Sequence, residues 1–215
     1  LTGVYNLTAG VVEFASSQAG SQNIRSESYQ NIEVTGNNVG KTRNDITLKN
    51  NGTFTIKPGG VFKISSNAIV GPVGSQTVTV ENNGTFETGD QHGFSGTSQT
   101  SIDVGIETIN LQNGSTVGYS RGGNQVITNQ IGIGQGADGN YYNLKISNSG
   151  IKTAPSKTVV KNITSVVDAA ELLVPPTGNI VLPNEFHALN GVQVDALATF
   201  RLANNANLFQ DATAS

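Results

Sequence analysis

The chain has 215 residues, of which 13% are charged, and a formal net charge of −3. Its 12 Lys and Arg residues are scattered, which argues against a phosphate-rich partner such as nucleic acid. There is no Cys for a disulfide, and no apolar run approaches the roughly 20 residues that a membrane-spanning helix needs. The 26 Gly, together with abundant Asn, Thr and Ser, favour strands and turns over helices.

The N-terminal part of the chain alternates short β-type runs with polar turns. Apolar residues occupy every second position, as at Ile32 and Val34, and this period of two predicts strands with one buried face. Residues 45–64 continue with three short strands separated by Asn-Gly and Pro-Gly turns. Gly and Asn tolerate the positive φ angles that tight corners need.

A short phrase, Asn-Gly followed by Thr or Ser, recurs at Gly52, Gly84 and Gly114. Its spacing of about 30 residues is typical of a repeat protein. Asn-Gly between two strands also marks a β-hairpin, so an antiparallel β-sandwich is the alternative. Because the spacing exceeds that of a hairpin and no helical pattern fills the gap, we predict an all-β, right-handed parallel β-helix, or β-solenoid. Residues 1–215 form one segment of roughly eight coils with about 25 residues each.

The asparagines of this phrase are Asn51, Asn83 and Asn113. If they lie at equivalent corners of successive coils, their side-chain amides can stack into a hydrogen-bonded ladder. We predict this structural role for them. The residues predicted to point into the solenoid are Phe14, Ile32, Val34, Leu48, Phe54, Ile56, Phe86, Leu111, Leu144, Ile146, Ile163 and Leu202.

Two longer segments, residues 29–42 and residues 141–153, also match each other. Both begin with Tyr-x-Asn followed by alternating apolar residues, and both close with Lys-Thr. They differ by an insertion at residues 130–140, just ahead of the second copy. Loops are the part of a solenoid that grows without disturbing the core, and they carry most binding sites. Any binding by this segment is therefore expected near residues 119–142.

Three tyrosines flank this insertion: Tyr119, Tyr141 and Tyr142. They are candidates for a sugar-stacking platform, although a tyrosine in a strand is more often half-buried filler. Within the insertion, Asp138 and Asn140 are candidate oxygen ligands for Ca²⁺. That ion takes six to eight oxygens, so one carboxylate is few, and a plain surface turn is the favoured interpretation.

The four polar residues that come nearest to a catalytic cluster are Asp90, His92, Asp103 and Glu107. Glycosidases and lyases need acidic or basic groups that converge on one face. These four residues span less than one coil, so they cannot all be neighbours from coil to coil, and solvated turn residues are the favoured interpretation. No G-x-S-x-G or H-E-x-x-H motif occurs. We therefore expect no catalytic activity and no cofactor.

Two phrases carry a family resemblance: V-x-Y-S-x-G-G-N-Q-x-I at residues 117–127 and Y-Y-N-L-x-[IL]-S-x-S-G-x-K-T at residues 141–153. They resemble the repeats of large secreted surface proteins of Bacteroidota. The phrase L-x-N-N-A-N-L-x-Q at residues 202–210 is similar to one that often ends such repeats. The resemblance implies export by the type IX route and a β-helical stalk or adhesin-like region at the cell surface. It transfers no catalytic residues.

We therefore expect an extracellular structural or adhesive β-solenoid segment, as in a stalk, a filament or part of a cell-surface adhesin. The alternative is a carbohydrate-binding or polysaccharide-lyase-like β-helix that acts through residues 119–142. No Met is present, so residue 1 is not an initiator and the segment is expected to belong to a longer chain. Expected partners are the continuing polypeptide or copies of the protein at the open coil ends, with glycans as further candidates.

Overall fold

Parallel β-strands make up the whole regular structure of the described chain. A computed structural model describes residues 10–16, 22–41, 44–66, 68–72, 74–128, 140–175 and 184–210. Within these ranges there is no helix, and the strands stack in coils as a β-solenoid of about seven turns. The predicted parallel β-solenoid is confirmed. The antiparallel sandwich is wrong, because every strand pair in the described residues is parallel.

The described residues contain 22 strands, most of them short. In chain order they are β1 Val11–Phe14, β2 Gln22–Asn23, β3 Ser28–Val34, β4 Val39–Lys41, β5 Ile46–Ile56, β6 Val61–Ile64, β7 Ile69–Val70, β8 Thr77–Val80, β9 Thr85–Thr88, β10 Thr108–Leu111, β11 Thr116–Tyr119, β12 Gln125–Val126, β13 Asn140–Tyr141, β14 Asn143–Ile146, β15 Gly150–Thr153, β16 Lys157–Val160, β17 Thr164–Val166, β18 Ala170–Val174, β19 Asn184–Ala188, β20 Val192–Val194, β21 Thr199–Leu202 and β22 Ala206–Phe209.

These strands form four sheets. Sheet 1 has the order β1-β3-β5-β8-β10, with β7 also paired to β5, and sheet 2 has the order β2-β4-β6-β9-β11-β14-β17-β20. Sheet 3 is β12-β15-β18-β21 and sheet 4 is β13-β16-β19-β22. Sheet 2 takes one strand from each coil and runs through almost the whole described chain. Its eight strands are separated by seven turns, close to the roughly eight coils predicted.

Side chains alternate between the interior and the outer faces along each strand, as period-two patterning requires. In β8 and β9, Val78, Val80 and Phe86 are buried, whereas the threonines between them lie on the outside. The eleven-residue β5 turns a corner at Gly52. A Cβ atom there would lie 2.8 Å from the carbonyl oxygen of Lys49, so the corner accepts only glycine without rearrangement.

Phenylalanines stack along the interior of the N-terminal coils. The ring centroids of Phe54 and Phe62 are 4.8 Å apart, those of Phe62 and Phe86 5.4 Å, and those of Phe86 and Phe94 4.9 Å. All four rings are fully buried, and these separations suit tilted and edge-to-face aromatic pairs. The interior is therefore a continuous column in which each coil supports the next.

Most of the predicted inward residues are buried. The exceptions are Leu111 and Ile163, which are partly buried, and Leu202, which is 40% exposed. Leu202 points inward as predicted, but it stays partly exposed because it belongs to the last described strand of sheet 3. In register it lies beside the buried Val174, but no further strand in the described residues covers its other side.

Candidate functional site

Two of the three tyrosines proposed as a sugar platform lie inside the solenoid. Tyr119 and Tyr141 are fully buried, their rings meet edge to face at 6.3 Å, and their hydroxyl oxygens are 2.7 Å apart. The hydroxyl of Tyr141 donates to the carbonyl oxygen of Thr128, and the backbone N–H of Thr128 donates to the hydroxyl of Tyr119 at 3.1 Å. The platform prediction is wrong for both residues, because neither ring reaches solvent. Tyr142 is half-buried at the corner that follows.

Burial raises the pKa of both hydroxyls, and that of Tyr141 lies well above its usual range. Removal from water is the largest cause, because a phenolate inside the solenoid would lose its hydration. The two hydroxyls are therefore neutral hydrogen-bonding groups. They satisfy each other and the backbone of Thr128, where the chain leaves sheet 3. Their role is to hold this point of the chain against the core.

A buried lysine in sheet 3 joins two coils through hydrogen bonds. Lys152 in β15 is fully buried, and its Nζ donates to the carbonyl oxygens of Arg121 at 2.8 Å, Gly123 at 3.0 Å and Ser149 at 2.6 Å. Burial is the main cause that lowers its pKa from 10.5 to about 8, and the positive charge of Arg121 adds to this effect. The three carbonyls offset much of the cost of placing an ammonium there.

A buried glutamine lies next to this lysine in the same sheet. Gln125 in β12 pairs in register with Lys152, and its Nε2 donates to the carbonyl oxygens of Thr88 at 2.9 Å and Asp90 at 2.8 Å. Sequence reasoning assigned no role to either side chain. The signal available was the Lys-Thr pair that closes both long repeats, but a lone lysine in a strand is normally taken as exposed.

The predicted ladder of Asn51, Asn83 and Asn113 does not form. Asn51 lies at the corner inside β5, and its N–H donates to Ser75 Oγ of the next coil at 3.0 Å. Asn83 lies at a different corner, where its N–H donates to the carbonyl oxygen of Gly114 at 3.2 Å. Asn83 is therefore level with Gly114, and Asn113 is one position out of register. What these corners share is a positive φ, with values of 57° at Asn51, 60° at Asn83 and 87° at Gly114.

An amide ladder does form at three other asparagines. Asn190 Nδ2 donates to Asn162 Oδ1 at 2.8 Å, and Asn162 Nδ2 donates to Asn143 Oδ1 at 2.7 Å. Asn143 Nδ2 then donates to the carbonyl oxygens of Gly114 and Ser115 at 3.2 and 3.1 Å. The ladder therefore crosses the coils at the entry to sheet 2. An asparagine ladder of the predicted kind is therefore present, but it lies at the corner where the chain enters β14, β17 and β20.

The proposed Ca²⁺ ligands stay a prediction. Asp138 lies outside the described residues, and Asn140 is described only as the first residue of β13, in register with Val159. Among the described residues, no group of three or more His, Cys, Asp or Glu side chains is placed to hold a metal ion.

The polar residues of the 90–107 region make contacts within single turns. The Oδ1 atom of Asp90 accepts from the N–H of His92 at 2.8 Å and lies 3.2 Å from its Nδ1. Asp103 Oδ1 accepts from the N–H of Gly105 at 2.7 Å. Both carboxylates thus cap the backbone two residues ahead, which is the usual turn chemistry of Asp.

Comparisons with protein-family models, with curated proteins and with solved structures gave no match. In the ranges that the structure describes, no helix has the length and apolar character to cross a membrane. The fold alone therefore defines the class of protein, a parallel β-solenoid, and this class includes both structural and catalytic members.

Proposed function

We propose that this chain is an extracellular structural or adhesive segment, part of a stalk, filament or cell-surface adhesin, and that it is not an enzyme. The observation that carries the proposal is sheet 2, whose strands follow one another in chain order without a break from β2 to β20. A continuous ladder of this kind makes an elongated body that separates its two ends. The buried polar groups, Gln125, Lys152 and the tyrosine pair, all bind backbone atoms and thus brace the coils.

The resemblance of residues 117–127 and 141–153 to repeats of secreted Bacteroidota surface proteins supports the same proposal. It favours export by the type IX route and a location outside the cell. The alternative, a carbohydrate-binding or polysaccharide-lyase-like β-helix that acts through residues 119–142, has less support, because Tyr119 and Tyr141, two of its three candidate sugar-stacking residues, are buried in the core. The stalk is therefore the function that the geometry supports best.

Proteolytic shaving of intact cells tests the location and the role. In a bacterium that expresses the full-length protein, trypsin added to whole cells should release peptides from residues 22–210. A cytoplasmic marker protein should stay uncut in the same cells. Peptides that appear only after lysis would exclude an extracellular stalk. Turnover of an acidic polysaccharide by the purified chain, lost on Asp103→Ala, would exclude a purely structural role.

We also propose that further strands cover the C-terminal coil, supplied either by the continuing polypeptide or by a second copy of this chain. Val194, Leu202 and Leu208 lie in register with the buried Val166, Val174 and Phe186 of the preceding coil, so they face the interior. They are 38–45% exposed because no described strand lies above them. Either the next coil of a longer chain or the first coil of another copy would continue the same parallel stacking and cover them.

Sedimentation velocity over a range of concentrations tests whether a second copy makes this contact. The purified protein should shift from monomer to larger species as concentration rises. Leu208→Lys should weaken that shift by ~10-fold or more in concentration, since it places a charge in the contact. Val126→Lys is the matched control, because Val126 is 50% exposed on the side of sheet 3. A monomer at every concentration, or equal effects of both variants, would contradict the stacking.

A further inference from the structure

The Asn-Gly phrase is chemically almost the same at each of its three copies, but the fold does not hold the copies in the same way. In such a pair the backbone nitrogen of the glycine can attack the asparagine side chain, because glycine has no side chain to obstruct the approach. Asn51, Asn83 and Asn113 are all exposed and are all followed by Gly. Whether this attack occurs therefore depends on how each corner holds the glycine N–H.

At the Asn83 corner the glycine N–H closes the turn. Gly84 N–H donates to the carbonyl oxygen of Glu81 at 2.9 Å, and Asn83 has a positive φ of 60°. Gly52 has the same surroundings, because a Cβ atom there would lie 2.8 Å from the carbonyl oxygen three residues before it, compared with 3.0 Å at Gly84. Attack by either glycine nitrogen would first require its turn to open, which costs hydrogen bonds.

At the Asn113 corner the phrase is shifted by one position within its turn. Here Ser115 N–H donates to the carbonyl oxygen of Gln112 at 3.0 Å, so Asn113 and Gly114 are the two central residues. Gly114 takes the positive φ, and its N–H has no hydrogen-bond acceptor in the part of the chain that the structure describes. The nitrogen that would attack Asn113 is therefore free, whereas Gly84 N–H is bonded.

We propose that Asn113 is a site of spontaneous deamidation and isomerisation, and that the fold protects Asn51 and Asn83 from the same reaction. The Gly114 nitrogen gives its proton to hydroxide and forms a bond to Cγ of Asn113, which closes a cyclic succinimide. The Cγ–Nδ2 bond breaks, and Nδ2 leaves as ammonia with a proton taken from water. A water molecule then opens the ring at either carbonyl, which gives aspartate or isoaspartate.

The isoaspartate product affects three coils because of the bonds that Gly114 makes. The carbonyl oxygen of Gly114 accepts from the N–H of Asn83 and from Asn143 Nδ2, both at 3.2 Å. These residues lead into β9 and β14, the two neighbours of β11 in sheet 2. Isoaspartate routes the backbone through the former side chain and lengthens it by one carbon, so this carbonyl moves away from both donors. The modification therefore loosens one end of the amide ladder.

The test is peptide mass spectrometry after incubation of the purified protein in mildly alkaline heavy-oxygen water. A glutamate-specific protease separates the three corners, since Glu81, Glu87 and Glu107 lie between them. Label should enter the folded protein at Asn113 ~10-fold faster than at Asn83, the factor that about one net hydrogen bond supplies. In urea the rates at the three corners should become similar. Asn113→Gln should remove the label at its own corner alone.

Asn113→Asp separates the new charge from the altered backbone. Amide exchange at Asn83 should match the native rate in this variant and should be faster in native protein that has formed isoaspartate. Equal labelling of the three corners in the folded protein would overturn the proposal. A lead for Asn113 that persists in urea would overturn it as well, because the local sequence would then be the cause. Unchanged exchange at Asn83 after isoaspartate has formed would refute the effect on neighbouring coils.

Discussion

Replacing Lys152 by Met is expected to remove a rise in stability that the native protein shows between pH 7 and pH 9.5. In the folded protein the pKa of Lys152 is lowered to about 8. Between pH 8 and the ordinary lysine pKa, the unfolded chain therefore holds a proton that the folded chain has released. The free energy of unfolding rises with pH wherever the unfolded state binds more protons. For this shift the rise is about 2 kcal/mol.

The measurement is urea unfolding at several pH values, with the native protein and the variant compared at each. The difference between them isolates Lys152 from the tyrosines and other lysines, which titrate in both proteins. Lys145→Met is the matched control, because Lys145 lies on the outer face with 42% of its side chain exposed. Its pH dependence should follow that of the native protein. A Lys152→Met curve parallel to the native one would show that the ammonium is not the buried charge described here.

At pH 7 the same substitution has a second consequence, at the corner that Lys152 closes. Its three hydrogen bonds join Ser149 to Arg121 and Gly123, which belong to the preceding coil. Met fills the space but donates nothing, so these carbonyls lose a charged donor. Amide hydrogen exchange should therefore speed up at Gly123 and Ile151 more than in the Phe54–Phe86 region. An equal increase in exchange rate in both regions would show that Lys152 does not act locally at this corner.

Asn162→Ala is expected to destabilise the protein by about 1 kcal/mol, because it removes the central member of a partly exposed amide ladder. The substitution leaves Asn143 Oδ1 without its donor and Asn190 Nδ2 without its acceptor. Asn190→Ala removes only the terminal hydrogen bond and should cost less. Urea unfolding of the two variants at pH 7 gives the comparison.

Asn162→Asp separates hydrogen bonding from shape. Aspartate has nearly the same size and can accept from Asn190, but it cannot donate to Asn143 Oδ1, and two oxygens then face each other. It should be at least as damaging as Asn162→Ala. A native-like stability for Asn162→Asp would mean that the side chains pack at this corner without the ladder contributing.

The fold was predictable because local patterns decide it. Alternating apolar residues, as in Ile32 and Val34 or Phe54 and Ile56, fix which side of each strand is buried. Gly and Asn at the corners then allow the chain to turn. What the spacing of the Asn-Gly phrase could not supply was the register between coils. Phe62 pairs with Phe86, 24 positions later, and Phe86 pairs with Val117, 31 positions later, so no single period aligns all the corners.

The two long repeats show the same limit. In the first copy, β3 lies in sheet 1 and β4 in sheet 2, whereas in the second copy β14 lies in sheet 2 and β15 in sheet 3. The phrase encodes a strand, a corner and a further strand, but it does not encode which face of the solenoid receives them. For the same reason the sequence could not show that Tyr119 and Tyr141, which are 22 positions apart, meet inside the coil as a fully buried pair.

The buried lysine could not be predicted from the sequence for a different reason. The role of Lys152 depends on three backbone carbonyls, two of which belong to the preceding coil. A single lysine in a strand pattern carries no such information. The register between coils had to be known before this role could be assigned.

The order of sheet 2 also determines how the molecule yields under tension. Its strands lie across the long axis of the solenoid. A pull on the two ends therefore breaks the backbone hydrogen bonds between coils one coil at a time. Each coil that detaches releases about 24 residues, or about 80 Å of extended chain at ~3.4 Å per residue. If the chain is the stalk proposed above, it would lengthen in steps at low force and form its coils again when the load is removed. Such stepwise extension dissipates mechanical work and limits the force that the chain transmits.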